Sequence, residues 1–205
     1  MTLWDLMVAG GFCMIFLGII SIAAMASVIY HFVYVTTEKL TPRQFSEDLL
    51  ALLEKNQFEK AADHCRGHEN LISAIAVKGL EKLPKGHSVT EEAVQYEGKS
   101  RIDKIWQNLA YLGDMAVIAP MLGLLGTILG MIEAFNYQSF KAGIIQPVSL
   151  AQGLAKAMIT TAFGLIIAVP IIVFYAYFRG RIGTITSNAE RLSSEILHAL
   201  EKKKA

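Results

Sequence analysis

At 205 residues, with 53% hydrophobic side chains and a mean hydropathy of +0.41, the chain is composed like a small membrane protein rather than a soluble domain. A net charge of +1 excludes the global basic field that nucleic-acid binding draws on. The two cysteines, Cys13 in an apolar run and Cys65 in a charged one, form no disulfide framework, and each reads as a small buried hydrophobe.

Met7 to Val35 is almost unbroken apolar sequence without Lys, Arg, Asp or Glu. It is longer than the roughly 20 residues a bilayer crossing needs. It also exceeds a signal-peptide core and has no basic stretch before it, so it reads as an uncleaved first transmembrane helix within residues 1–36. Trp4 at one end and Tyr30 and Tyr34 at the other suit interfacial anchoring. His31, near the inner end, reads as a snorkelling interfacial histidine rather than a proton relay.

Residues 37–107 read as a cytoplasmic helical region. Thr41-Pro42-Arg43-Gln44 predicts a capping box with proline at the first helical position. Phe45, Leu49, Leu52 and Leu53 then form one apolar face. Phe58, Ala61, Ala62 and Cys65 continue the period up to a helix stop at Gly67. Ile72, Ile75, Ala76, Leu80 and Leu83 mark a third helix. Pro84 to His87 is a turn, and Ser88-Val89-Thr90-Glu91 predicts a second capping box. His64, Cys65 and His68 have the residue types of a metal cluster, but a stop at Gly67 would spoil the His64/His68 spacing, so no metal site is assigned.

From Ser88 there is no strong stop before the next apolar run. Gly98, Ile102, Ile105, Leu109 and Leu112 hold one line, which predicts a single long helix over about 89–135 that contains the second span (108–135). In that span Ala116, Pro120, Gly123, Thr127, Gly130 and Ala134 recur at steps of three and four, so they share a face. Small residues on one line suit close approach to another backbone, not contact with lipid. Residues 136–152 read as a short loop containing Pro147. The third span (153–178) repeats the design with Ala157, Thr161, Gly164 and Ala168. A helical stripe through Ile185, Ala189, Leu192, Ile196 and His198 or Leu200 extends it into a C-terminal helix over 179–205. Pro120 and Pro170 are candidate kinks. The fold class is therefore all-α, with three transmembrane helices and a cytoplasmic helical bundle extending spans two and three.

Basic residues set the orientation. Lys and Arg number none in residues 1–7, eleven in 36–107, one in 136–152 and six after Phe178. The N-terminus and the 136–152 loop are then periplasmic and the C-terminus cytoplasmic, with the Lys202-Lys203-Lys204 end positioned to touch anionic lipid. Taken alone, the matching small faces with mid-span threonines fit two readings equally. One is a plain packing seam with each hydroxyl bonded to a helix carbonyl; the other is a hairpin lining a narrow polar path.

The run Gly123-Leu124-Leu125-Gly126-Thr127-Ile128-Leu129-Gly130, with Gly153-Leu154-Ala155-Lys156-Ala157-Met158-Ile159-Thr160-Thr161-Ala162-Phe163-Gly164-Leu165 and Ala168-Val169-Pro170, resembles the MotA/TolQ/ExbB proton-channel family, its ExbB/TolQ branch above all. The resemblance implies a channel-forming subunit of a proton-motive-force-driven motor complex in a bacterial inner membrane. Such a complex couples ion flow to rotation or force on a periplasmic or outer-membrane partner, as in TonB-dependent or Tol-type energy transduction. It implies a homo-oligomer, a pentamer, around a single-span ExbD/TolR-like partner with a transmembrane Asp, and a TonB/TolA-like protein beyond it. A flagellar- or gliding-type stator subunit and a non-conducting membrane scaffold are the alternatives.

No Asp or Glu lies in the centre of any span, so the chain reads as half of a channel whose carboxyl comes from elsewhere. The resemblance places Thr127 and Thr161 at the family's pore threonines, facing the partner Asp. Thr160 is a second ion-pathway candidate. Asp114, Glu133 and Lys156 are candidate pathway ends, and Lys156 stands where the branch commonly has Glu. Gly123, Gly126, Gly130, Ala157 and Gly164, with Pro120 and Pro170, are the packing and kink residues. No enzyme, cofactor, metal or nucleic-acid role is expected, and the ion is expected to be the proton rather than sodium.

Overall fold

A computed structural model describes residues 11–68, 70–140 and 147–201. Every regular element among them is helical: α1 (Phe12–Tyr34), α2 (Thr37–Leu40), α3 (Arg43–Glu54), α4 (Phe58–Arg66), α5 (Leu71–Lys82), a 3-10 turn (Leu83–Lys85), α6 (His87–Phe140) and α7 (Pro147–Glu201). Three of these, α1, α6 and α7, are long and apolar enough to cross a membrane. α6 and α7 run 54 and 55 residues and stay helical through Pro120 and Pro170. Both reach into the stretch 136–152 that the sequence suggested as loop, and residues 141–146 lie outside the described ones.

Contacts divide the chain into two compact units. One holds the residues up to Ile29 with Ala110–Ala176, the other Tyr30–Leu109 with the residues from Tyr177 on. In the first, Met14 and Leu17 of α1, Ala119 of α6 and Ala168 of α7 form a core, with Ile20, Leu122, Phe163 and Ile167 packed on it. α1 is two-faced: Leu17, Ala24 and Val28 are buried, while Ile15, Ile19, Ile22 and Met25 are exposed. Bulky apolar residues exposed in this way suit hydrocarbon.

The second unit is a small helical bundle. Phe45, Leu49 and Leu53 of α3, Ala61 and Cys65 of α4, and Ile72, Ile75 and Ala76 of α5 are buried, as are Ile182, Ile185, Ala189, Leu192 and Ile196 of α7. Leu80, expected in the core, is half-buried, and Gly79 takes the inner position. A Cβ on Gly79 would stand 2.9 Å from Val94 and 3.1 Å from Leu200, so these helices pack against its bare backbone. Leu200, not His198, continues the inner stripe of α7.

The helix starts differ from the sequence reading. Thr41 is no N-cap: it closes α2, and its hydroxyl donates to the Thr37 carbonyl at 3.2 Å. Pro42, which has no donor, precedes α3. α6 begins at His87, one residue before Ser88, after Gly86 at φ 104°, a backbone position that favours glycine. The Gly86 carbonyl accepts the Thr90 N–H at 3.1 Å and the Thr90 hydroxyl at 2.9 Å, which fixes that start. The reciprocal box is at α5 instead. Asn70 Oδ1 accepts the Ser73 N–H at 2.8 Å, and Ser73 Oγ accepts the Asn70 N–H at 3.2 Å.

His31 is buried, 1% exposed, not snorkelling, with its ring 5.1 Å from Phe178. Gly67 does cap α4, yet the His64 and His68 rings still meet at 5.2 Å and both contact Phe45. His68 Nδ1 lies 3.1 Å from the His64 carbonyl. Among the described residues no group of three or more His, Cys, Asp or Glu is placed to hold a metal.

Candidate functional site

The site is the seam between the apolar parts of α6 and α7. Ala116, Ala119, Gly123, Gly126, Gly130 and Ala134 are buried along α6, and Ala157, Thr160, Gly164, Ala168 and Ile171 along α7. This line is rotated from the one suggested by the sequence. Pro120 and Thr127 lie at its edge, half-buried, and Ala119 and Gly126 hold the inner positions.

The backbones approach closely because these residues have almost no side chain. A Cβ on Gly123 would stand 3.0 Å from the Thr160 carbonyl oxygen and the Thr161 Cα, and one on Gly164 would stand 2.8 Å from the Ala119 carbonyl oxygen. On Gly130 it would lie 3.0 Å from the Ala157 Cβ, and on Gly126 2.5 Å from Thr160 Oγ1. Gly153, not picked out from the sequence as a packing residue, extends the seam against Ala134. Gly113 closes the other end, where the Tyr175 ring lies 2.9 Å from the place of its missing Cβ. Proximity to the line of small residues was the only sequence signal for either.

Three hydroxyls sit in this seam. Thr160, 1% exposed, donates to the Ala157 carbonyl at 2.7 Å and also lies 3.3 Å from the Gly123 carbonyl. Thr161, half-buried, donates across the hairpin to the Gly123 carbonyl at 3.0 Å. Thr127 donates to the Leu124 carbonyl of its own helix at 2.6 Å. Thr160 lies in the interior of the seam, and Thr127 and Thr161 stand at its margin.

Helical projection tells which margin. Each residue turns the helix by about 100°. On α6, Gly126, Ala119 and Leu122 lie to one side of the seam line and Thr127 and Pro120 to the other. On α7, Thr160, Phe163 and Ile167 lie to one side and Thr161 to the other. Gly126 touches Thr160, which matches the two former sides, and Leu122, Phe163 and Ile167 pack on the core shared with α1. One flank is therefore covered by α1. Thr127 and Thr161 share the opposite flank, beside Leu124, Met158 and Leu165, which are 58%, 65% and 50% exposed.

The other candidates fall at the periphery. Asp114 and Glu133 are exposed. Lys156 is on α7, and its side chain lies outside those described, so its expected pairing does too. Pro170 is exposed.

A protein with three helices fit to cross a membrane, two of them joined along glycines with hydroxyls at the margin, belongs to the class of multi-span helical membrane proteins. The family model described as "MotA/TolQ/ExbB proton channel family" matches residues 67–191, which include both threonine-bearing spans. The chain belongs to that family, one of channels and not of enzymes. It is 40% identical over 100 residues to Biopolymer transport protein exbB1 of Vibrio cholerae, covering 47% of this chain and 44% of that one. It is 24% identical over 170 residues to Biopolymer transport protein ExbB of Salmonella typhimurium (76% and 68%). It is 31% identical over 122 residues to Tol-Pal system protein TolQ of Haemophilus influenzae (58% and 51%). The chain thus spans about half the length of two of these three relatives.

Proposed function

We propose that this chain is the channel-forming subunit of a proton-driven, ExbB/TolQ-like motor complex in an inner membrane. The observation that carries the reading is the shared flank of Thr127 and Thr161: two mid-span hydroxyls on the side of the hairpin that α1 leaves open, in spans without a central carboxylate. A hydroxyl at physiological pH holds a water or a carboxyl but does not titrate. The titrating group then comes from a partner, a single-span ExbD/TolR-like helix with a membrane Asp. Several copies of this chain, five by family likeness, surround a few such helices. Protonation and release of that Asp drive relative rotation, and the output is force on a TonB/TolA-like protein. The Lys and Arg distribution supports a cytoplasmic C-terminus and a periplasmic placement of residues 136–152. Asp114 and Glu133 are the pathway ends on the cytoplasmic and periplasmic sides.

Thr127→Val and Thr161→Val, singly, test it. Valine keeps the shape and removes the hydroxyl, and a hydrogen bond within a membrane averages only about 0.6 kcal/mol, so the fold should survive. Both variants are expected to assemble normally on native gels and to lose most proton flux or growth support, while Thr→Ser retains part of it. Normal output from both valine variants would return the threonines to packing.

A further inference from the structure

Periodicity puts Phe58 and Ala62 of α4 and Leu80 of α5 on core-facing lines, yet in the helical bundle all three are only half-buried. With Val77, Leu83 and Leu197 they line a cleft of about 680 Å3 between α4, the end of α5, the 3-10 turn, the start of α6 and the end of α7. That volume is within the about 300–1,000 Å3 of pockets that take a ligand. Gly79 holds the inner position of α5 against Val94 and Leu200, which turns Leu80 to the cleft. An apolar floor rimmed by charged groups marks an interaction site rather than a packing fault.

The rim is acidic. Glu59 of α4, Glu81 of α5 and Glu201 of α7 line the cleft, with Arg66 and His87. Arg66 is engaged by Asp63 at 3.2 Å, Glu81 lies 3.3 Å from Lys78, and His87 Nε2 lies 2.7 Å from Glu201 Oε1. Counting the partners Asp63 and Lys78, four carboxylates stand against two permanent cations, Arg66 and Lys78. Neither Lys82 nor Lys85 lines the cleft.

We propose that this cleft is a docking site for a short, basic amphipathic segment of a partner protein. Leucine- or phenylalanine-sized side chains of the segment fill the floor, and its Lys or Arg residues meet Glu59, Glu81 and Glu201. The site lies within the bundle and is independent of the pore reading. The three carboxylates belong to three different helices, so cations spaced along a chain meet more of them than one compact cation does. An anionic lipid surface is repelled by the same rim. Residues 202–205, Lys-Lys-Lys-Ala, follow Glu201 directly and supply cations, but they hold no side chain that fills an apolar floor.

The test uses the full-length protein in nanodiscs of zwitterionic lipid. The probe is a dye-labelled ten-residue peptide of leucine pairs alternating with lysine pairs, read by fluorescence anisotropy with empty nanodiscs subtracted. Versions with glutamate for lysine and with serine for leucine are the controls. The leucine–lysine peptide should bind, and both controls should bind at least tenfold more weakly. Glu59→Gln and Glu81→Gln, both at exposed positions, should each weaken it about threefold at low salt and less at high salt. Ala62→Phe, which fills the cleft without changing its charge, should abolish binding, and a parent-like melting temperature shows that the fold is kept. Equal binding of the three peptides, or binding unchanged by the glutamate and Ala62 variants, would overturn the proposal. So would competition by benzyltrimethylammonium at the peptide's own affinity, since the occupant would then be a small cation. Binding to a chain shortened after Glu201 but not to the parent would also overturn it, by making residues 202–205 the occupant. None of these results bears on the threonines, so the pore reading stands or falls separately.

Discussion

At the residue scale, the seam is most sensitive at Gly126. A methyl there would lie 2.5 Å from Thr160 Oγ1 and 2.7 Å from Thr160 Cβ, and Thr160 is fixed by its own hydrogen bond and burial. Gly126→Ala should therefore push α6 and α7 apart and cost about 1–3 kcal/mol, read as a lower melting temperature in detergent. Combining it with Thr160→Ala should recover most of the loss, because the obstruction and its obstacle are one pair. Gly180→Ala, where nothing lies within 4 Å of the added carbon, should be neutral or slightly stabilising. An equal loss at both glycines would mean that close approach to Thr160 is not the cause, since helix propensity favours alanine at either position.

Cys65 gives a second residue-scale test, in the bundle. Burial pushes its thiol from 9.0 up to about 11. The fold thus favours the neutral thiol, and the sign of the pH dependence follows. Below pH 9 the thiol is neutral in both states and its contribution is fully present. As pH rises from about 9 toward about 11 the unfolded chain loses the proton first, so stability falls. Urea melts at pH 8 and 10.5 should show that loss in the parent and a smaller one in Cys65→Ala. Alkylation of Cys65 near pH 8 should be about a hundredfold slower than in the unfolded chain, since the thiolate is the nucleophile.

At the element scale, the α5 cap decides how firmly the bundle's central short helix begins. Asn70 and Ser73 each satisfy the other's backbone N–H, and both are buried. Asn70→Ala should cost about 1 kcal/mol, seen as faster amide exchange in the first turn of α5 with α3 little changed. This box was not read from the sequence, whereas boxes were read at Thr41 and Ser88, where the structure has none. The reason is that Ser73 stands in for the expected Glu or Gln, and an S/T-x-x-E/Q pattern says nothing of whether its first residue already closes a preceding turn, as Thr41 does. Apolar periodicity was more informative. It located the long helices and the faces through Phe45, Leu49 and Leu53 and through Ile185, Ala189 and Leu192, because burial repeats with the helix turn. In the seam the same periodicity erred by one residue. Gly123 and Gly130 were legible, but with small residues at both Gly126 and Thr127, sequence could not say which faces α7. Only the contact between Gly126 and Thr160 resolves it, and that contact depends on a residue 34 positions away.

At the scale of the whole molecule, the spans expose two apolar surfaces whose surroundings should differ. One is the outer face of α1, with Ile15, Ile19 and Ile22 exposed. The other is the threonine flank, with Leu124, Met158 and Leu165 exposed. Area alone cannot distinguish them, since lipid covers either at no cost. What separates them is the hydroxyl pair, which gives the second surface a reason to meet protein or water and gives the first none. In a background with Cys13 and Cys65 replaced by alanine, Ile22→Cys should react readily with a lipid-phase reagent in the assembled complex. Leu165→Cys should be protected there, and should crosslink to a neighbouring copy or to the partner helix on oxidation. Dissociating the complex in detergent should expose Leu165→Cys and leave Ile22→Cys unchanged, which separates protection by assembly from protection by the fold. If instead Ile22→Cys is the shielded position and Leu165→Cys labels freely in the complex, then α1 forms the contact surface between subunits. The threonine flank would then face lipid, and a path for protons along it would have no second wall.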